Sequence, residues 1–417
     1  MDERPDWARE WLVDVTSAAT ALAGVIRDLP PIRAGWLDDL AGGPVWLIPE
    51  NLQRAGSFKI RGAYTRIARL DPQQRSRGVV AASAGNHAQG VAVAAGLLGV
   101  EATVFMPHGA TIPKVIATRG YGARVEFAGH TVDTALMAAR EYAERTGAVL
   151  IHPFDSPDVI VGQGTLGLEI AAKVPSVRTV LVCTGGGGLL AGIATTMAAI
   201  DPSISVIGVQ AAGAAAYPAS LRAGAPMALD SMSTMADGIA VGQPGAVPFE
   251  FVQRHVRDVV MVTEEQLSRA VLMLLERAKL LVEPAGAAGA AALIGGVVGA
   301  AEDLQAPVAV VLSGGNVDPL LLARIIRHGL AAAGRFLTVT VHAPDQPGAL
   351  ATVLGVVGSA GANVIEIEHN RLSANLAVDE VEIVIQLELR GHDHRIEVLR
   401  ALASCDIVEV VDVVPGN

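Results

Sequence analysis

The sequence predicts an α/β protein built on a parallel sheet covered on both faces, followed by a smaller α+β unit. Three observations carry this. From Gly78 to Leu312, short runs of Val, Ala, Ile and Leu recur between longer Ala-rich or amphipathic stretches, as expected of buried parallel strands joined by helices. Three of those runs end in turns rich in small residues, SAGNHAQG, TGGGGLLAG and SGGN. Beyond Arg327 the pattern changes to apolar–polar alternation, which belongs to half-exposed strands.

In chain order, Val13 to Arg27 has helical periodicity and Pro30-Pro31 stops it. Trp36 to Leu40 reads as a short helix and Val45 to Ile48 as a short strand. Strands follow at Val79–Ala82, Ala102–Met106, Arg124–Phe127 and Val149–His152, then at Val180–Cys183, Val206–Val209, Val259–Val262 and Val308–Leu312, with helices between. His328 to Arg335 reads as a small-residue linker. Phe336–Val341 is then a strand, and the stretch from Pro344 to Val364 reads as loop, helix and turn. Val364–Arg371 and Glu380–Leu389 are alternating strands, Arg395–Leu402 a helix and Ile407–Val413 a last strand, which makes a βαββαβ unit.

Composition narrows the function. The 417 residues carry a net charge of −11 and no basic run, which argues against a nucleic-acid partner. Two distant cysteines, Cys183 and Cys405, offer neither a disulfide framework nor metal-ligand spacing, so a cytoplasmic location and no metal are expected. The acidic start MDERPDWAREWLVD lacks the apolar run of a signal peptide. The Ala-rich stretch 285–301 is broken by glycines and too short to span a bilayer, so it reads as a buried core helix and no membrane partner is expected.

The chemistry concentrates in Glu50 to His87. Lys59, between Phe58 and Ile60 in SFKIRGA, is a candidate Schiff-base amine, because burial disfavours its charged form and frees a lone pair. A solvated lysine at a helix start is the plain alternative. SAGNH lies at the carboxyl end of a strand and opens a helix, where open α/β sheets bind ligands and backbone N–H groups suit an anion. The four glycines Gly185, Gly186, Gly187 and Gly188 let the backbone turn sharply and aim N–H groups at a phosphate. A nucleotide loop is the rival, but neither GxGxxG nor GK[ST] is present.

Together SFKIRGA, SAGNHAQG, TGGGGLLAG and SGGN resemble the fold-type II pyridoxal-phosphate enzymes over residues 20 to 330, most closely the threonine ammonia-lyases, with serine racemases as near relatives. The resemblance implies pyridoxal 5'-phosphate as cofactor and a two-lobed fold. Residues 1–330 would form the catalytic domain, with a mobile small lobe at about 55–155, and residues 331–335 a linker. It implies that Lys59 anchors the cofactor and acts as base, beside Phe58 and Asn86. The Gly185–Leu189 turn would cup the phosphate, and Ser313 would face the pyridine nitrogen. Ser83, Ala84, Gly85, Asn86 and His87 would clamp the substrate carboxylate. His87 reads as a hydrogen-bonding residue more readily than as an acid–base group. Ala84 stands where racemases carry a serine, and Gln210, with no carboxylate after it, where cation-binding relatives carry acids. Glu283 stands where the family keeps a glutamate near the cofactor, in a role that is structural at least as readily as catalytic. Pro30-Pro31 stands where relatives carry Thr-Pro, and their lysine near Ile48 is missing. The implied substrate is L-threonine, with L-serine as a second; a serine-preferring lyase and a non-catalytic amino-acid sensor are the alternatives.

Asp345 to Leu350, with Gly361-Ala362-Asn363 downstream, resembles the ACT regulatory domain, expected over residues 336–417. That implies a homo-oligomer, dimer or tetramer, and an isoleucine or valine effector near Asp345, Gly348, Leu350 and Asn363. It also suggests the first step of isoleucine biosynthesis. A purely structural dimerisation module is the alternative reading.

Overall fold

A computed structural model describes residues 4–298, 304–332, 334–372 and 376–415 and divides the chain into two compact units, Met1–Asp318 and Pro319–Asn417. The first unit opens with α1 (Asp6–Ala21), β1 (Ile32–Arg33), α2 (Asp38–Ala41) and β2 (Val45–Ile48). There follow α3 (Lys59–Ala68), α4 (Pro72–Ser76), β3 (Val79–Ala82), α5 (Asn86–Leu98), β4 (Ala102–Met106), α6 (Ile112–Gly120), β5 (Arg124–Phe127), α7 (Val132–Thr146) and β6 (Val149–Leu150). The unit then runs through α8 (Pro157–Lys173), β7 (Thr179–Cys183), α9 (Gly188–Ile200), β8 (Ser205–Ala211), α10 (Tyr217–Ala223) and α11 (Ala246–His255). It closes with β9 (Asp258–Val262), α12 (Glu264–Met273), α13 (Pro284–Ile294) and β10 (Val308–Val311).

These strands form two sheets. One is parallel, in the order β5-β4-β3-β6; the other runs β1-β2-β10-β7-β8-β9 and is parallel except for β1. Its central strands, β7 and β10, are buried throughout, as helix-covered parallel strands must be. Among the described residues no helix is long and apolar enough to cross a membrane. Residues 299–301 of the Ala-rich stretch lie outside the described residues.

The first helix departs from the sequence expectation. It begins at Asp6, not Val13, and Val13 is 72 % exposed while Ala8, Val15 and Ala18 face inward. The true stripe includes Trp11, whose indole N–H donates to Thr196 Oγ1 at 2.9 Å. Small residues bring α3 and α8 together: a Cβ on Gly162 would lie 2.7 Å from Gly62 Cα, so only glycine allows this approach. Across that contact Arg61, fully buried, binds both oxygens of Glu50 at 2.7 and 2.8 Å, and reaches Thr165 Oγ1 at 3.1 Å and Glu169 at 2.6 Å. The ion network fixes the helix whose first residue is Lys59.

The second unit comprises α14 (Pro319–Ala332), β11 (Phe336–Pro344), α15 (Ala349–Ser359), β12 (Asn363–Asn370), β13 (Glu380–Glu388), α16 (His392–Ala403) and β14 (Glu409–Pro415). Its antiparallel sheet runs β12-β13-β11-β14. Leu337, Val339 and Val341 of β11 and Ile383, Ile385 and Leu387 of β13 pack on Val353, Val357, Val398 and Leu402 of the two helices. His328 to Ala332, expected as linker, instead continues α14. Leu and Ala favour helix, and no stop comes before Gly334, whose φ is +68°. Ala333 lies outside the described residues.

Candidate active site

The loop before α3 is stitched to the end of β10. Phe58 N–H donates to Ser313 O at 3.1 Å, Gly315 N–H to Gly56 O at 2.9 Å, and Ser57 bridges Gly314. This places Lys59 beside the SGGN turn although 254 positions separate Lys59 from Ser313 in sequence. Lys59 Nζ donates to Pro153 O at 2.9 Å and lies 5.1 Å from the centre of the Phe58 ring. The residue as a whole is half-buried, but the surroundings desolvate the ammonium and lower its pKa to about 8.

Pro153 belongs to the turn after β6, and the next residue, Phe154, packs under the glycine turn after β7. A Cβ on Gly186 would fall 2.4 Å from the Phe154 ring, and one on Gly187 1.8 Å from Tyr217 Oη. Gly187 also has φ +99°, at the N-terminus of α9. The N–H groups of Gly185, Gly186 and Gly187 make no hydrogen bond among the described residues, and those of Gly188 and Leu189 begin a helix. Five successive N–H groups at a positive helix end suit a phosphate dianion.

Ser313 follows β10 by two residues, and the buried Cys183 thiol donates to its Oγ at 3.1 Å. Burial pushes the thiol up to about 11, so it stays protonated. Having accepted that hydrogen bond, the Ser313 hydroxyl keeps its own hydrogen for another partner. Asn86 Nδ2 donates to Glu283 at 2.5 Å, and Asn86 Oδ1 accepts from Asn316 at 2.7 Å. Burial pushes Glu283, just before α13, up to about 7. His87 is buried with Nε2 2.7 Å from Ile151 O, and desolvation holds it down to about 3, so the ring is neutral. Ser83, Ala84 and Gly85 lie on the half-buried turn before α5, where Ser83 Oγ accepts from Gly85 N–H at 3.1 Å. Gln210 is buried and accepts from Tyr217 N–H at 2.9 Å, a structural contact.

The residues singled out in the first unit thus converge on the carboxyl ends of β3, β7 and β10. Those of the second unit do not converge. Asp345, Gly348 and Leu350 lie on the turn from β11 into α15, and Asp345 pairs with Arg371 at 3.0 Å. Asn363 begins β12 beside Glu388, whereas that turn follows Pro344, the partner of Glu380 at the other end of β13. Sequence reasoning missed the turn HPFDS after β6. The rule that pointed to SAGNH applies to it equally, since it also leaves the carboxyl end of a parallel strand.

Comparison with known proteins shows the family. The pyridoxal-phosphate dependent enzyme family matches residues 22–314. The chain belongs to that family. Its cofactor is pyridoxal 5'-phosphate, and the buried amine, the free N–H groups after β7 and the Ser313 hydroxyl fit that group. The ACT domain matches residues 337–406. An L-threonine ammonia-lyase from Thermotoga maritima is 43 % identical over 94 % of this chain and 97 % of its own length. The processed form of threonine deaminase isoform 2 from Solanum lycopersicum superposes with a TM-score of 0.73 and 34 % identity, covering 78 % of this chain and 93 % of that one. A serine racemase from Dictyostelium discoideum gives 0.68 and 33 %, covering 74 % and 98 %.

Proposed function

We propose that this member of the pyridoxal-phosphate family is a threonine ammonia-lyase. It removes water from L-threonine and releases 2-oxobutanoate and ammonia, and it accepts L-serine by the same chemistry. One observation carries the reading. A desolvated amine, Lys59, is joined through Pro153-Phe154 to a turn of free N–H groups, in a chain matched along 94 % of its length by an L-threonine ammonia-lyase.

When bound, pyridoxal phosphate supplies an electron sink that lets the substrate's Cα–H bond break. The N–H groups of Gly185 to Leu189 would hold its phosphate, Phe58 and Asn86 would lie beside the bound group, and Ser313 would offer a neutral hydroxyl to its ring nitrogen. Lys59 anchors it. With a pKa near 8, a useful fraction of free Lys59 Nζ is unprotonated at neutral pH, and it takes the Cα proton. The turn Ser83–His87 orients the substrate, its N–H groups receiving the carboxylate. His87 stays neutral and holds Ile151, so it donates no proton. Ala84 presents only a methyl group, which leaves one face of Cα without a proton donor and supports elimination over racemisation.

The small lobe, about residues 55–155, closes over the substrate in this reading, and the ACT domain binds isoleucine, with valine opposing it. A site that uses both the Asp345–Leu350 turn and Asn363 needs a second copy, because one chain holds them at opposite ends of β13. The enzyme is therefore a homo-oligomer, working in the cytoplasm at the first step of isoleucine biosynthesis. The test is 2-oxo acid release from L-threonine and L-serine by the full chain, with and without isoleucine. Coupling of about 1–3 kcal/mol shifts apparent threonine affinity 5- to 150-fold. In Lys59→Ala turnover falls at least about 100-fold while circular dichroism is unchanged. A variant that keeps more than a hundredth of the rate refutes the role of Lys59.

A further inference from the structure

We infer that Lys114 is a second anchor for the substrate's carboxylate, held above the Ser83–His87 turn by Asp237 from across the cleft. The inference rests on the proposed function and extends it. Lys114 lies in the first turn of α6, against the four-stranded sheet, whereas Asp237 begins a 3₁₀ turn (Asp237–Ile239) between α10 and α11, in the segment that joins β8 and β9 of the six-stranded sheet. Their side chains form an ion pair across the mouth of the site.

Two features separate this pair from an ordinary surface ion pair, which contributes little. The first is asymmetry: the Lys114 side chain is 13 % exposed and Asp237 58 % exposed, so the ammonium lies on the protected side. The second is what the ammonium faces. A Cβ placed on Gly85 would lie 3.9 Å from Lys114 Nζ and, its own chain neighbours aside, within 4 Å of no other described atom. The space beside Gly85 is thus open and has a cation on its wall.

The same space is bordered by donors without acceptors. The N–H groups of Ala84, Asn86 and His87 make no hydrogen bond among the described residues. Glu283, which binds Asn86, and Asp237, which binds Lys114, are acids at this space, and each repels a substrate carboxylate when ionised. Lys114 offsets them. An ammonium has three donors, so Lys114 can keep Asp237 and take a carboxylate oxygen. Asp237 then acts as a positioning residue, keeping the flexible lysine stem from swinging into solvent.

The test titrates the cofactor-loaded enzyme with two amines and follows the cofactor's absorbance. L-alanine carries the carboxylate but has no hydroxyl to lose, and L-alaninol has a hydroxymethyl group in place of the carboxylate. Lys114→Met should weaken L-alanine about 10- to 100-fold, the range of a lost charge-assisted hydrogen bond, and leave L-alaninol within about twofold. Lys114→Arg should restore most of the L-alanine affinity, Asp237→Asn should weaken it less than Lys114→Met, and KM for L-threonine should rise with little change in kcat. Equal weakening of both amines by Lys114→Met, or of neither, would overturn the assignment. A parent enzyme whose absorbance responds to neither amine would overturn the proposed function, and the role of Lys114 with it.

Discussion

Replacing Arg61 by Met tests whether the buried ion network or apolar packing holds the Lys59 helix in place. Arg61 is 0 % and Glu50 2 % exposed, and among the described residues Arg61 is the only donor to the Glu50 carboxylate. Removing one partner of such a pair strands a buried charge, at a cost of about 3–5 kcal/mol, whereas replacing both by apolar residues is often close to neutral. An unfolding entropy of about 2.1 cal/mol/K per residue across the unit Met1–Asp318 turns that cost into a fall of about 4–8 °C in Tm. Arg61→Met, Glu50→Leu and the double variant should be compared by urea unfolding, following cofactor absorbance to isolate this unit. The double variant should recover much of the loss. If Arg61→Met costs less than about 1 kcal/mol, the network is not what positions Lys59, and the close α3–α8 approach must do so alone.

Two further perturbations probe the site directly. Gly187→Ala places a methyl 1.8 Å from Tyr217 Oη at a φ of +99°, so cofactor content after dialysis should fall sharply, and Tyr217→Phe in the same chain should recover part of it; full cofactor retention in the single variant would contradict the role of the turn. Glu283, raised from 4.5 to about 7, binds more protons folded than unfolded, so its contribution to stability declines as pH rises from 4.5 to 7. His87 and His152, lowered to about 3 and 4, act in the opposite sense over much of that range. The difference between Glu283→Gln and the parent, measured by urea unfolding without cofactor, therefore isolates Glu283: the variant should gain on the parent with rising pH, and a constant difference would refute the raised pKa.

The sequence by itself determined most of the strands and the places where chemistry could occur. Buried parallel strands need continuous apolar runs, and the turns that receive anions need glycine, so VVAA, VLVC, SAGNH and TGGGG were legible without a fold. Helix ends were less so: Val13 looked like a first core position and proved exposed, because two adjacent stripes of one helix differ little in composition. Only the tertiary structure decided what Lys59 is. Its lowered pKa arises from burial among elements distant in sequence, Nζ donates to Pro153 O, and its neighbours Cys183, Glu283 and Ser313 come from far along the chain. The same holds for Arg61 and for Lys114 with Asp237, whose partners lie on other elements. Sequence pattern records which residues prefer to be inside or to turn. Desolvation and charge pairing depend on distances between elements, and those exist only once the sheets are assembled.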